Sequence, residues 1–433
     1  LQSHYINAFQ HLAKRLAHLP NVVGFGTMNE PHNGLIELKD IRSFGHVLVK
    51  YKVTPTPAEA IFLASGFAQN CAFYQTPLAD IIPGQVKHKK IDPQGMTVWK
   101  EGYSDIWKAY GVWNVDKDGN PRIIRPAHFA RVRGKTIDFN DDYLRPFTEK
   151  FAKAIREVMP DAIIFTESEP FEPPPHYDDT KDLVYAPHFY EGVTLFTKMF
   201  NEHVNFDLEY MRPLIGATSI KDYITRRIKE FRGFADERMG DVPLLIGEFG
   251  IPFDMNKQYA YKTGHFPLQT VALEYYFQAM DRNLMNYALW NYTADNTNQN
   301  GDLWNGEDLS IFSRDQQNNP SDINSGGRAL SAVVRPYAKK VAGEPLNMRF
   351  DPARGLFTFS FRHDENVSEP TELYVPNSQF PAGYRVAVSD GQYEINKDEP
   401  KVTSRHAEND IPHLIRTIAN TPRTPYLPSS GKH

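Results

Sequence analysis

The feature that most constrains this chain is an alternation of short apolar runs with longer stretches of helical spacing. Tyr5, Ile6, Phe9, Leu12, Ala13, Leu16 and Leu19 recur at helical intervals until Pro20-Asn21 ends the run. An apolar strand over Val22–Met28 is predicted to follow at once. Leu144, Phe147, Phe151, Ile155 and Val158 share one helical face ahead of a second strand, Ala162–Thr166. The same reading predicts strands at Leu183–Pro187, Val242–Gly247 and Asn286–Trp290. Helices are expected at Ile220–Ala235, Leu268–Arg282 and Gly326–Ala342. Short apolar strands between amphipathic helices indicate βα units around a parallel sheet.

Two stretches depart from that rhythm. The segment from about 31 to 137 is too long for an ordinary connection and should hold local structure of its own. It includes a hairpin expected at Val112–Ile124, turned by Asp118-Gly119. Asp116 and Asp118 resemble the start of a calcium loop. The glycine falls too early, however, and Ala127 stands where a bidentate glutamate belongs, so a turn is favoured. The basic run Lys87-His88-Lys89-Lys90 reads as a solvated loop. After Gly343-Glu344-Pro345 the texture changes to short β-rich runs: Met348–Phe350, Leu356–Phe361, Thr371–Val375 and Tyr384–Val388. They predict a small antiparallel sandwich of about 85 residues. The expected division is a larger α/β domain over 1–344 and an accessory β-domain over 345–433.

Composition excludes some function classes. A net charge of −5 supplies no electrostatic reason to expect nucleic acid or an anionic membrane as partner. The single cysteine, Cys71, rules out intrachain disulfides and leaves no thiolate pair for a metal. No apolar run reaches the roughly 18 residues of a transmembrane segment. The chain starts on Leu1 inside a helical pattern, so sequence upstream is expected and the compartment stays open. The lone cysteine leans toward the cytoplasm, with secretion still allowed.

The strand ends carry the chemistry. VVGFGTMNEP closes on Asn29-Glu30, and LLIGEFG closes on Glu248. APHFYEG delivers His188 and Tyr190, and NYALWNYTADN delivers Trp290. One strand-terminal acid alone is more often a salt bridge or helix cap. Four such endings together point to a site at the C-terminal ends of parallel strands. Two carboxylates across a sugar-sized gap suit glycosidic cleavage, one protonated for the leaving oxygen and one ionised to attack or activate water. Trp290 offers a flat face for a pyranose, His188 and Tyr190 can hold the nucleophile, and Asn29 can bond the hydroxyl beside the anomeric carbon. A metal is not called for, because His188 lacks a second histidine at ligand spacing and tyrosine suits zinc poorly. No cofactor is needed either.

These motifs resemble family-5 glycoside hydrolases of clan A, retaining β-glycosidases on a (β/α)8 TIM barrel. Asn29-Glu30-Pro31, His188-Phe189-Tyr190, Gly247-Glu248-Phe249-Gly250 and Trp290 look like that family's strand 4, 6, 7 and 8 motifs. GEFGIPFDMN (Gly247–Asn256), LWNYTADNTNQNGDLWNGEDLSIF (Leu289–Phe312), GGRALSAVVRPYAKKVAG (Gly326–Gly343) and the C-terminal β-domain resemble the endoglycoceramidase-related branch, which includes glucosylceramidases and sterylglucosidases. The resemblance implies Glu30 as acid/base and Glu248 as nucleophile. It implies Asn29, His188, Tyr190 and Trp290 around the scissile sugar. Asn305 and Glu307 are implied sugar ligands too, against the alternative of a polar loop capped by its own side chains.

The resemblance also leaves a gap. Three βα units should precede the Asn-Glu-Pro strand, and here one helix does. The deficit is on the order of 100 residues at roughly 30 per unit. The expectation is therefore strands 4–8 in this chain, with strands 1–3 upstream or in a separate chain. The early-strand arginine and histidine of the family cannot be assigned.

The substrate implied is a β-glucoside with a hydrophobic aglycone, of glucosylceramide or steryl glucoside type. The alternatives are endo action on glycosphingolipids or β-glucans, and a non-catalytic carbohydrate-binding barrel. Phe62, Phe67, Phe73, Tyr74, Trp99, Tyr103, Trp107 and Trp113 could wall an aglycone site or simply pack the insertion.

Overall fold

In the computed structural model, which describes residues 1–44, 50, 52–75, 86–170, 172–179, 181–406 and 412–421, the opening helix spans Gln2–Leu16. The chain divides into two units, Leu1–Asp182 and Leu183–His433. In the first, Tyr5 and Phe9 of the opening helix meet Phe147 and Phe151 of helix Arg145–Arg156, with ring centroids 5.2–6.3 Å apart. Tyr5 Oη also donates to the Thr27 carbonyl oxygen at 2.7 Å, which ties helix to strand. That strand is regular only over Gly24–Gly26 and pairs in parallel with Ile163–Thr166. The register continues through Thr27 N–H to the Phe165 oxygen at 3.0 Å, so both strands run out side by side.

The insertion has its own core of Leu38, Ile41, Ala58, Ile61, Phe62, Val112 and Trp113. Helix Pro57–Ala64 opens on a capping box, with Thr56 and Glu59 each bonding the other's backbone N–H. The predicted hairpin forms as Trp113–Val115 against Pro121–Ile123. Asp116 closes its turn by accepting from the N–H groups of Asp118 and Asn120. The basic run corrects the sequence reading. It lies in strand Val86–Ile91, at the edge of a three-stranded antiparallel sheet with Lys52–Thr54 and Gln69–Tyr74. Its lysines are exposed, as suits an edge strand that must not pair further.

The second unit begins with parallel strands. Leu183–Tyr185 bridges to the segment at Leu244 and again through His188 to Glu248. Leu245–Ile246 pairs with Asn286–Tyr287. Helices Ala217–Arg238 and Pro267–Asn283 pack on them, placing Phe231, Tyr276 and Phe277 against Tyr185, Phe189 and Phe249. Among the described residues the regular ladders are short and do not trace a closed barrel sheet. A hairpin of Val204–Asp207 and Arg212–Ile215 was not expected.

The helix predicted over Gly326–Ala342 is also corrected. One helical turn, Leu330–Val333, gives way to strand Tyr337–Lys340. Pro336 has no N–H and pushes Arg335 out of helical geometry, so the run cannot continue. Arg335 is buried between Glu274 and Asp281 of the preceding long helix, at 2.9 and 2.6 Å. Two four-stranded antiparallel sheets follow, in the orders Tyr337–Lys340, Thr371–Tyr374, Lys401–Arg405, Gln392–Asn396 and Gly343–Asp351, Leu356–His363, His413–Ala419, Tyr384–Val388. Phe357, Phe359 and Phe361 alternate inward to meet Leu373, Val402 and Ile415.

Candidate active site

Three neighbouring strand ends in the second unit bring predicted residues together. Gly247 N–H donates to Pro187 O, and Phe189 N–H donates to Glu248 O, both at 2.9 Å. This ladder sets His188 and Tyr190 beside Glu248. Tyr190 Oη donates to Glu248 Oε2 at 2.9 Å, and His188 Nδ1 lies 3.5 Å from the same oxygen. The Glu248 side chain is 17% exposed and that of His188 only 7%. The carboxylate therefore sits in low-dielectric surroundings with two polar groups on one oxygen, which orients it without sealing it off.

Trp290 N–H donates to Phe249 O at 2.9 Å, carrying the indole to the next strand end, where it is 36% exposed. Gly250 allows that approach, since a Cβ there would lie 2.2 Å from Trp290 O. The Trp290–Asn291 peptide is cis. Glu191, the other acid of the HFYEG stretch, is a buried helix cap that accepts from Val193 and Thr194 N–H.

Asn305 and Glu307 lie on a loop after the Trp290 strand. Asn305 is exposed with φ of 50°, beside exposed Leu303 and Trp304. The base of the loop is rigid. Arg328, fully buried, pairs with Asp308 at 2.5 and 3.0 Å and lies 4.4 Å over the Phe253 ring. Asn296 joins Asp302 to Asp308, and Tyr261 donates to Asp308. Sequence reasoning missed this network, although Asp302, Asp308 and Arg328 lie in the stretches that carried the resemblance. Asp254 and Asn256 of GEFGIPFDMN hold the neighbouring segment: Asp254 binds Lys198 Nζ at 2.5 Å, and the Asn256 amide bonds both Phe200 N–H and its carbonyl.

In the first unit, Asn29 and Glu30 follow their strand as exposed residues, Glu30 with φ of 41°. Glu30 N–H donates to Glu167 Oε2 at 2.7 Å, from the end of the paired strand. His32 Nε2 lies 3.3 Å from Glu169, whose carboxyl is held above the usual range chiefly by burial. Glu167 and Glu169 were missed as well. The signal was there, because strand Ala162–Thr166 runs straight into Glu167-Ser168-Glu169.

Of the two readings of the insertion's aromatics, packing describes Phe62, Phe67, Trp107 and Trp113. Phe62 and Phe67 pack edge-on against buried Trp113, and Trp107 packs against Phe129. Tyr103 does face solvent, at 74% exposure. A cavity of about 810 Å³ lies away from the strand ends. Leu245, Asn286 and Tyr287 line it from the strand starts, together with Tyr337, Met348 and Tyr374.

Residues 131–296 match Cellulase (glycosyl hydrolase family 5), and residues 335–417 match the Glycoside hydrolase family 5 C-terminal domain. The chain belongs to glycoside hydrolase family 5. A glucosylceramidase of Rhizopus delemar is 31% identical over 448 residues, covering 93% of this chain and 65% of the relative. The ergosteryl-beta-glucosidase of Saccharomyces cerevisiae is 25% identical, covering 94% and 65%. This family-5 chain thus spans about two thirds of the length of the curated relatives it matches. Cryptococcus neoformans sterylglucosidase 1 superposes with a TM-score of 0.88 at 27% identity, over 98% of this chain and 68% of that one. Family and neighbour together imply a TIM barrel followed by a C-terminal domain.

Proposed function

We propose that this protein is a retaining β-glucosidase for glucosides with a hydrophobic aglycone, of the glucosylceramide or steryl glucoside type. Glu248 attacks the anomeric carbon while Glu30 protonates the departing oxygen. Water, deprotonated by Glu30, then releases the sugar with net retention. Such a displacement requires the carboxyl groups about 5–5.5 Å apart. The observation that carries the reading is the grip on Glu248: a tyrosine hydroxyl at 2.9 Å and a histidine nitrogen at 3.5 Å on one oxygen. That arrangement fixes a carboxylate for in-line attack and is more than a structural salt bridge needs. Trp290 stacks the sugar, Asn29 bonds the neighbouring hydroxyl, and Asn305 and Glu307 bond outer hydroxyls.

The strands described belong in this reading to positions four to eight of the barrel, with a domain boundary near 344. No observation favours a second chain as the source of strands one to three. The substrate class rests on the lipid-glucoside relatives, and the Cellulase match keeps endo action on longer glycans as the second reading. A panel of glucosylceramide, steryl glucoside, lactosylceramide, cellobiose and aryl β-glucosides tests both. Glucose alone from the first two supports the proposal, whereas release of an intact disaccharide replaces it with the endo reading. A fluorosugar trap should label Glu248, and a label on any other residue removes the assignment.

A further inference from the structure

The β-sandwich holds a side-chain cluster that glycoside cleavage does not use. At one end the chain crosses between the two sheets twice. The first crossing, from Tyr384–Val388 to Gln392–Asn396, carries Asp390. The second, from Lys401–Arg405 to His413–Ala419, is bracketed by His406 and His413. One donor atom from each of the three lies within 4.8 Å of the others. His413 Nδ1 is 2.8 Å from Asp390 Oδ2, and His406 Nδ1 is 3.8 Å from Asp390 Oδ1.

Burial makes the cluster unusual. The side chains of His406 and His413 are 1% and 0% exposed. Among the described residues, both ring nitrogens of His406 and Nε2 of His413 have no hydrogen-bond partner. Buried polar atoms are nearly always paired, because an unpaired one forfeits its hydration without return. The close approach is also built into the backbone. Gly391, with φ of 76°, lies where a Cβ would be 2.0 Å from Arg405 O and 2.9 Å from His406 Cα. Without a side chain there, the Asp390 turn can press against His406.

We propose that Asp390, His406 and His413 form a structural zinc site that staples the two sheets together at their crossing. Two imidazoles and one carboxylate are a zinc-type donor set, too nitrogen-rich for calcium or magnesium. Zn–N and Zn–O bonds near 2.0–2.1 Å put tetrahedral ligands roughly 3.3 Å apart, so no separation needs to close by more than about 1.5 Å. A water takes the fourth position. Ser389 Oγ, 3.0 Å from Asp390 Oδ2, orients the carboxylate from behind. The site is independent of the glycosidase assignment and stands or falls without it.

The test uses the full chain, stripped with a chelator and titrated with zinc, and separately with cobalt. The expected result is one zinc per chain by elemental analysis, an intense tetrahedral cobalt spectrum, and a melting temperature raised by zinc. His406→Gln should weaken zinc binding at least about tenfold. The cobalt spectrum of the unaltered protein carries the test if that variant does not fold. Substoichiometric zinc, a pale octahedral cobalt spectrum, or equal binding by folded His406→Gln would each overturn the proposal.

Discussion

Two glutamates end two parallel strands, and the chain treats them differently. Glu248 is half-buried and gripped through its side chain, with Tyr190 and His188 on Oε2. Glu30 is an exposed residue in a left-handed conformation, and its backbone N–H is the group that Glu167 holds. Identical residue types at the ends of two strands are thus met in different ways: Tyr190 and His188 reach the carboxylate of Glu248, and Glu167 reaches the main chain of Glu30. In the proposed reaction the first contact keeps a nucleophile aimed, and the second positions the backbone that carries the acid/base.

The comparison can be broken most directly at Glu248. Glu248→Gln should lower kcat by about 10⁴-fold or more while leaving the melting temperature near its original value. A variant with residual activity within tenfold would show that the grip on Glu248 serves structure. Glu30→Gln should cost about 10³-fold on lipid glucosides, within the usual range for general acid–base catalysis. The loss should shrink on aryl glucosides whose leaving group needs no proton, and azide should restore part of the rate. Equal losses on both substrate types would remove the acid role.

Asp308→Asn tests the support beneath the loop of Asn305 and Glu307. Breaking this buried pair should destabilise the protein by about 3–5 kcal/mol in denaturant unfolding, since Arg328 loses its counter-charge inside the protein. Smaller effects sharpen the contrast between the two acids. Tyr190→Phe deletes a hydrogen bond to a carboxylate and should reduce kcat by about 10–100-fold, equivalent to about 1.5–3 kcal/mol. Glu167→Gln keeps an oxygen for Glu30 N–H and should change kcat by less than about tenfold.

Several elements of both units were legible because their signals are local. Helix Pro267–Asn283 ends within a residue of the expected Leu268–Arg282, and strand Ile163–Thr166 falls inside the predicted run. The inward phenylalanines of the sandwich follow the alternation at Leu356–Phe361. Strand lengths were less legible, since Leu245–Ile246 is only two residues of the predicted Val242–Gly247. Regular pairing depends on a neighbour's register, which apolar content does not encode. At Gly326–Ala342 the apolar spacing suggests a helix, but Pro336 prevents it from running past its first turn. The Lys87–Lys90 strand was read as a loop because charge reports solvation, while pairing with Gln69–Tyr74 is a long-range matter.

The sequence by itself determined the alternation of strands and helices, the polar residues at the strand ends, and the change to β texture near Gly343. All of these follow from periodicity and residue chemistry within a few positions. Only the tertiary structure decided that Tyr190 and His188 share one oxygen of Glu248, that Glu167 holds the backbone of Glu30, and that Trp107 and Trp113 turn into the insertion's core. It alone brought Asp390, His406 and His413 together, with both imidazoles buried. Each of those depends on which segments pack together across dozens of residues, and that is set by the balance of burial and pairing over the whole fold.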